Sequence, residues 1–142
     1  MSSYSETNVI FYHDPFEDLL GTFGKLSQKG WKFCDRILSV KIGQNVAIEA
    51  SDKINSQIES LALNRKLGKS TEINMLEPLA ETIVGLHIHW DKQQVVFCWD
   101  SRSPCHPKYD RIIDPAWALD VVYCFCESID ADPQFISHES TL

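Results

Sequence analysis

His87, His89, Cys98 and Asp100 are the residues of this chain whose types and spacing converge most readily on chemistry. The two histidines lie two apart in a run that reads as a β-strand, so both imidazoles share one side. A tight polar turn at Lys92 and Gln93 folds the next strand back and brings Val96, Cys98 and Asp100 to that same side. Two imidazoles and a thiolate, with oxygen from Asp100 or Asp91, form a donor set suited to zinc or another borderline divalent ion. The set carries no recognised metal motif and no defined fourth ligand position. Part-exposed, hydrogen-bonded histidines beside a packed cysteine are therefore the plainer expectation.

Cys105 and His106 offer a second chemistry, a thiol nucleophile beside a base. Adjacency does not make the side-chain atoms meet, and neither an orienting group nor an oxyanion hole is evident. Pro104 and Pro107 explain a constrained loop more directly. His13 and Asp14 evoke acid–base work, but Asp14 is already well placed as a helix cap. Glu72, Glu77 and Glu81 read as a hydrated face, and Cys124 and Cys126 as core-filling thiols on a helix. Walker-type and dinucleotide fingerprints are missing, so the expectation includes no cofactor.

The element that must position these groups is the hairpin of residues 83–100. Its expected register sets Trp90 opposite Val95, Ile88 opposite Phe97 and Leu86 opposite Trp99. These pairs make an apolar face that other elements must cover. Gly85 allows a bulge or a close neighbouring strand.

Residues 8–12 are β-rich, and Asp14, Pro15 and Glu17 read as N-cap, N1 and N3 of a helix. Its stripe is Phe16, Leu19, Leu20, Phe23 and Leu26 or Ser27, and Gly30 terminates it. A second hairpin is expected over residues 31–50, with Leu38, Val40 and Ile42 on one side and a turn at residues 43–45. Ser51 or Asp52 caps a helix that turns Ile54, Ile58, Leu61, and Leu63 or Leu67, to the core and stops at Gly68. Residues 73–83 read as a short or broken helix, with Pro78 constraining its first turn or interrupting it. Residues 101–114 form a long loop. Asp114 and Pro115 then open an unusually apolar helix through Ile129, which suits the core or a homodimer contact.

The fold expected is α+β: a single layered domain with a mainly antiparallel sheet covered by three or more helices. At 142 residues the chain reads as one compact domain, 1–142, with 1–7 a candidate flexible segment and 130–142 an acidic C-terminal segment. Apolar residues are 44% and charged residues 23% of the chain, which argues against disorder. The formal charge of -7 opposes nonspecific attraction to nucleic acid or anionic lipid. A nucleic-acid reading requires Lys25, Lys29, Lys32, Arg36, Lys41, Arg65, Lys66 and Lys69 to gather on one face. The basic end of the second helix is better explained by helix termination. An odd count of five cysteines without CxxC, no secretory leader and no run of about 18 apolar residues lead to the expectation of a cytoplasmic protein with no membrane span.

Surplus acid, a sizeable core and no full catalytic constellation favour a non-enzymatic protein-binding module, such as an inhibitor, an immunity-like protein or a specialised chaperone. Asp120, Glu127, Asp130 and Asp132 are its candidate attractors for a basic partner, with Tyr109 and Trp117 as candidate apolar contacts. The competing expectation is a small metal- or cysteine-dependent hydrolase built on His87, His89 and Cys98 or on Cys105 and His106.

Overall fold

The computed structural model describes residues 4–34, 47–48, 51–100, 103–109 and 112–141. Seven strands form one sheet in the order β3-β2-β4-β5-β6-β1-β7, with every neighbouring pair antiparallel. The strands are β1 (Tyr4–Phe11), β2 (Lys32–Cys34), β3 (Ala47–Ile48), β4 (Thr71–Leu76), β5 (Ile83–His89), β6 (Gln94–Trp99) and β7 (Pro133–Thr141). Three helices accompany them among the described residues: α1 (Leu19–Gln28), α2 (Ser51–Lys66) and α3 (Pro115–Ser128). The domain is α+β, as its strand pairing and apolar spacing lead one to expect.

Alternation along the central strands decides where the helices go. Val84, Leu86 and Ile88 of β5, with Val95 and Phe97 of β6, are buried in one cluster with Leu19, Phe23 and Leu26 of α1, Leu61 of α2, and Val121, Val122 and Phe125 of α3. All three helices therefore contribute to one sheet face. On the other face His87, His89, Val96 and Cys98 remain part-exposed. Aromatic edges lock the covered side: Phe97 meets Phe125 at 5.2 Å and 87°, and Phe125 meets Trp31 at 5.4 Å and 83°.

The hairpin register differs from expectation by two residues. Ile88 faces Val95, Leu86 faces Phe97 and Val84 faces Trp99. Trp90 leaves the ladder for a helical turn (Trp90–Lys92), which Gln93 closes in the left-handed region at φ 53°. A longer connection thus replaces the two-residue turn. Because the slip is even, each side chain keeps its expected face. Trp90 is still buried, its indole N–H donating to Lys69 O at 2.8 Å and its ring edge-on to Phe16 at 5.5 Å. Pairing runs unbroken through Gly85, between Asn74 and Cys98, so there is no bulge at that position.

Other boundaries also move. Helix α1 starts at Leu19, capped by Asp18, whose carboxylate accepts from Gly21 N at 3.1 Å. Asp14 instead closes a separate turn by accepting from Phe16 N at 2.9 Å, and its second oxygen pairs with Arg65. Arg65 also donates to Phe16 O at 2.7 Å and lies over the Trp90 ring, tying the end of α2 to the loop after β1. Leu20, Leu63 and Leu67 are exposed rather than core-facing.

Residues 71–76 form a strand and not a helix start. Thr71, Ile73 and Met75 alternate inward at period two, a pattern that outweighs the looser helical spacing. The following turn is built on Glu77, which is buried rather than part of a hydrated face. Its carboxylate accepts from the amides of Leu79, Ala80 and Thr82 and from the Thr82 hydroxyl. The expected second hairpin is seen as the β2–β3 pair, Phe33 opposite Ile48. Leu38, Val40, Ile42 and the turn at 43–45 lie outside the described residues, as does the side chain of Ile54.

The first and last described strands pair with each other at one side of the sheet. Residues 4–7 are part of β1, and Pro133 begins β7. Strand β7 pairs with β1 from Thr141 opposite Tyr4 to Phe135 opposite Ile10. Asp114 caps α3 as expected, accepting from Ala116 N at 3.1 Å with Pro115 in the first turn.

The one-sided core yields a direct test by urea unfolding. Leu86→Ala, on the covered face, should cost about 2–5 kcal/mol. Its cross-face neighbour Val96→Ala should cost less than about 1 kcal/mol.

Candidate functional site

The expected imidazole–thiol face exists, but its groups do not assemble into a metal centre. His87 and His89 stack on each other, ring centroids 4.5 Å apart and 25° from parallel. Ser70 Oγ holds His89 Nδ1 at 2.9 Å. Burial lowers the pKa of His89, helped by the nearby charges of His87 and Lys92 and opposed by Asp91. Cys98 lies diagonally across the ladder, opposite Gly85, and Asp100 is buried just beyond the end of β6. Among the described residues no three His, Cys, Asp or Glu side chains are arranged to hold a metal ion.

The adjacent thiol and imidazole of the long loop do not meet either. Cys105 is exposed and directs its thiol to Ser103 O at 3.6 Å. His106 accepts from the Lys108 amide at Nδ1, 3.0 Å away, and its ring lies 5.0 Å from Tyr109. A base occupied by a backbone amide and a thiol turned to a carbonyl do not form a nucleophile–base pair. Cys126 is buried in α3, and burial pushes its thiol up to about 12. It stays protonated at neutral pH.

A histidine outside the sequence candidates sits in a longer polar chain. Trp99 Nε1 donates to Thr7 Oγ1 at 2.9 Å, and Thr7 Oγ1 lies 2.7 Å from His138 Nδ1. His138 Nε2 is 3.1 Å from Ser140 Oγ, which is 2.9 Å from Ser5 Oγ. The indole can only donate, so Thr7 Oγ1 accepts from it and meets His138 Nδ1 with its remaining lone pair or its proton, according to the imidazole tautomer. The chain joins β6, β1 and β7. Burial lowers the pKa of His138, because charging it here forfeits hydration.

The candidate acidic and aromatic residues divide into two groups. Glu127, Asp130 and Asp132 come together with Tyr123 and Pro133 around a depression of about 510 Å³ at the α3–β7 junction. A second hollow of about 250 Å³ shares Asp130, Ala131 and Asp132 and adds Glu17, Asp18, Lys25 and His13 from the start of the chain. Lys25 reaches Asp130 at 3.7 Å across an exposed gap, an attraction worth little in water. Tyr12 is exposed beside this corner, its amide donating to Asp132 O at 3.2 Å. Phe135 is exposed two residues beyond Pro133.

Asp120 is exposed on α3 but lines neither hollow, and Tyr109 stands in the separate loop beside His106. Trp117 is half-buried against Trp99, ring centroids 5.2 Å apart, so it packs rather than projects. Helical spacing of four between Tyr123 and Glu127 was a usable signal for their common face. Nothing local in sequence could bring Glu17 and Asp18 to Asp132.

Two of the basic residues that a nucleic-acid groove would need are engaged within the fold. Arg65 is committed to Asp14 and Phe16, and Lys25 leans to Asp130; Arg36 and Lys41 lie outside the described residues. No helix of the described residues is long and apolar enough to cross a membrane. No protein-family model, curated protein or solved structure matches the chain.

Two measurements follow from these environments. In alkylation at neutral pH, Cys105 should react more than about tenfold faster than Cys126, which should become reactive on unfolding. Equal rates in the folded protein would contradict the burial of Cys126. The second concerns pH. His89 and His138 have folded pKa values below 6.5, so the unfolded chain binds more protons as pH falls past 6.5. Their stabilising contribution is complete above that value and is lost as pH drops toward their folded values. Urea-derived stability should decline from about pH 7 to about pH 5.5, and His138→Gln should flatten the decline.

Proposed function

We propose that this chain is a non-enzymatic protein-binding module that engages a basic partner through the α3–β7 corner. The observation that carries this reading is the pair of adjoining hollows sharing Asp130 and Asp132, flanked by exposed Tyr12, Tyr123 and Phe135. Carboxylates at a concave rim raise the encounter rate with a positively charged surface. Aromatic side chains with little rotamer freedom then supply contact area that slows dissociation. Residues 112–142 contribute no Lys or Arg, so the field from this end of the chain has one sign. Inhibitory, immunity-like and chaperone roles all use this mode of recognition, and a cytoplasmic setting suits the free thiols.

The hydrolase alternative loses support from the same side chains that suggested it. His87 and His89 stack on each other, and Cys105 and His106 turn to separate backbone groups.

Affinity capture with the intact protein, followed by identification of the retained proteins, tests the reading. A partner with a basic surface should be retained by the parent and by Cys105→Ser. It should be lost or weakened about tenfold or more in an E127Q/D130N/D132N variant. For the purified pair, raising salt from about 0.05 to about 0.5 M should slow association, whereas Tyr123→Ala should chiefly speed dissociation. Retention unaffected by the charge-neutral variant would contradict the proposal.

A further inference from the structure

We propose that β7 is the docking edge of this corner, to which a basic partner adds an extended segment as an eighth strand. The inference rests on the binding reading above and names how the partner is held. Strand β7 ends the sheet order, and its far side pairs with no strand among the described residues. Its register with β1 is regular from Phe135 to Thr141, with the irregularity confined to the Pro133 end. Alternate N–H and C=O groups over that length therefore project away from the sheet in extended geometry. None of the residues from Pro133 to Ser140 is buried, so no described loop or helix closes over the strand.

Edges of this length are usually blunted by lysine, proline, a bulge or shortness. Here the strand has nine residues, its proline is the first of them, and residues 112–142 contain no lysine. The opposite edge, β3, has two described residues, Ala47 and Ile48.

Charge selects the occupant. Asp130 and Asp132 precede the strand, and exposed Glu139 stands near its other end. A second copy of β7 would bring the same carboxylates to the junction and meet like charge. A segment that alternates basic and apolar residues satisfies the free backbone groups and the acids together, with its apolar side chains over exposed Phe135.

The test uses the full-length protein and two ten-residue peptides, one alternating lysine with valine and one alternating glutamate with valine. Hydrogen exchange by NMR should show alternate β7 amides slowed about tenfold or more by the lysine peptide and unaffected by the glutamate peptide. The double variant S137K/E139K, altered at two exposed positions, should weaken the lysine peptide about tenfold. Binding that is sensitive to E127Q/D130N/D132N but leaves β7 exchange unchanged would overturn strand addition while leaving the corner as a binding surface. Equal protection by both peptides would overturn the requirement for a basic partner. Concentration-dependent protection of β7 without peptide would assign the edge to a second copy and overturn the proposal. No binding of the lysine peptide would count against strand addition alone, since the capture experiment judges the corner independently.

Discussion

The structure depends on one packing event, the seating of Phe125 from α3 against Phe97 at the centre of the sheet. Phe97 is fully buried, and its cross-strand partner Leu86 is equally sealed. A strand alternates its side chains, so covering Leu86, Ile88, Val95 and Phe97 necessarily turns His87 and Val96 the other way. One apolar contact thus determines both where the helices lie and which groups face outward. It also directs α3 along the sheet so that the chain leaves its end beside β1 and returns as β7.

That return is what creates the candidate site. Asp130 takes a positive φ of 53° where α3 ends, and Ala131 N bonds back to Cys126 O at 3.0 Å. The reversal places Asp130 and Asp132 against the loop after β1, where Glu17 and Asp18 already stand. Carboxylates from distant parts of the chain then surround one concave corner. The part-buried polar chain from Trp99 through Thr7 and His138 to Ser140 ties the same strand to β1 and β6. Edge, acids and aromatic side chains are consequently held by one arrangement of α3 and β7.

Much of the fold was legible where sequence spacing and burial had the same period. The faces of β5 and β6 followed from alternation, and Asp114 with Pro115 announced α3. Register was less legible because the helical turn at Trp90 depends on tertiary burial of that ring, which local turn chemistry does not reveal. Asp14 and Asp18 are both competent caps, and Arg65, 51 residues away in sequence, draws the first into another role. Strand β7 was hidden by its polar composition, since an edge strand needs little apolar surface when a neighbouring strand supplies its hydrogen bonds. Of the acidic candidates, Glu127, Asp130 and Asp132 converge because they are close in sequence. Their companions Glu17 and Asp18 arrive only through the fold.

The sheet is sealed on one side and open on the other. Its most direct measurement is paramagnetic relaxation by an uncharged soluble gadolinium complex, read residue by residue along β5 and β6. Side-chain protons of His87 and Val96 should relax strongly, while those of Leu86, Ile88, Val95 and Phe97 should be spared. Uniform shielding of both faces, or equal relaxation of neighbouring residues, would contradict the one-sided architecture from which the corner and its edge follow.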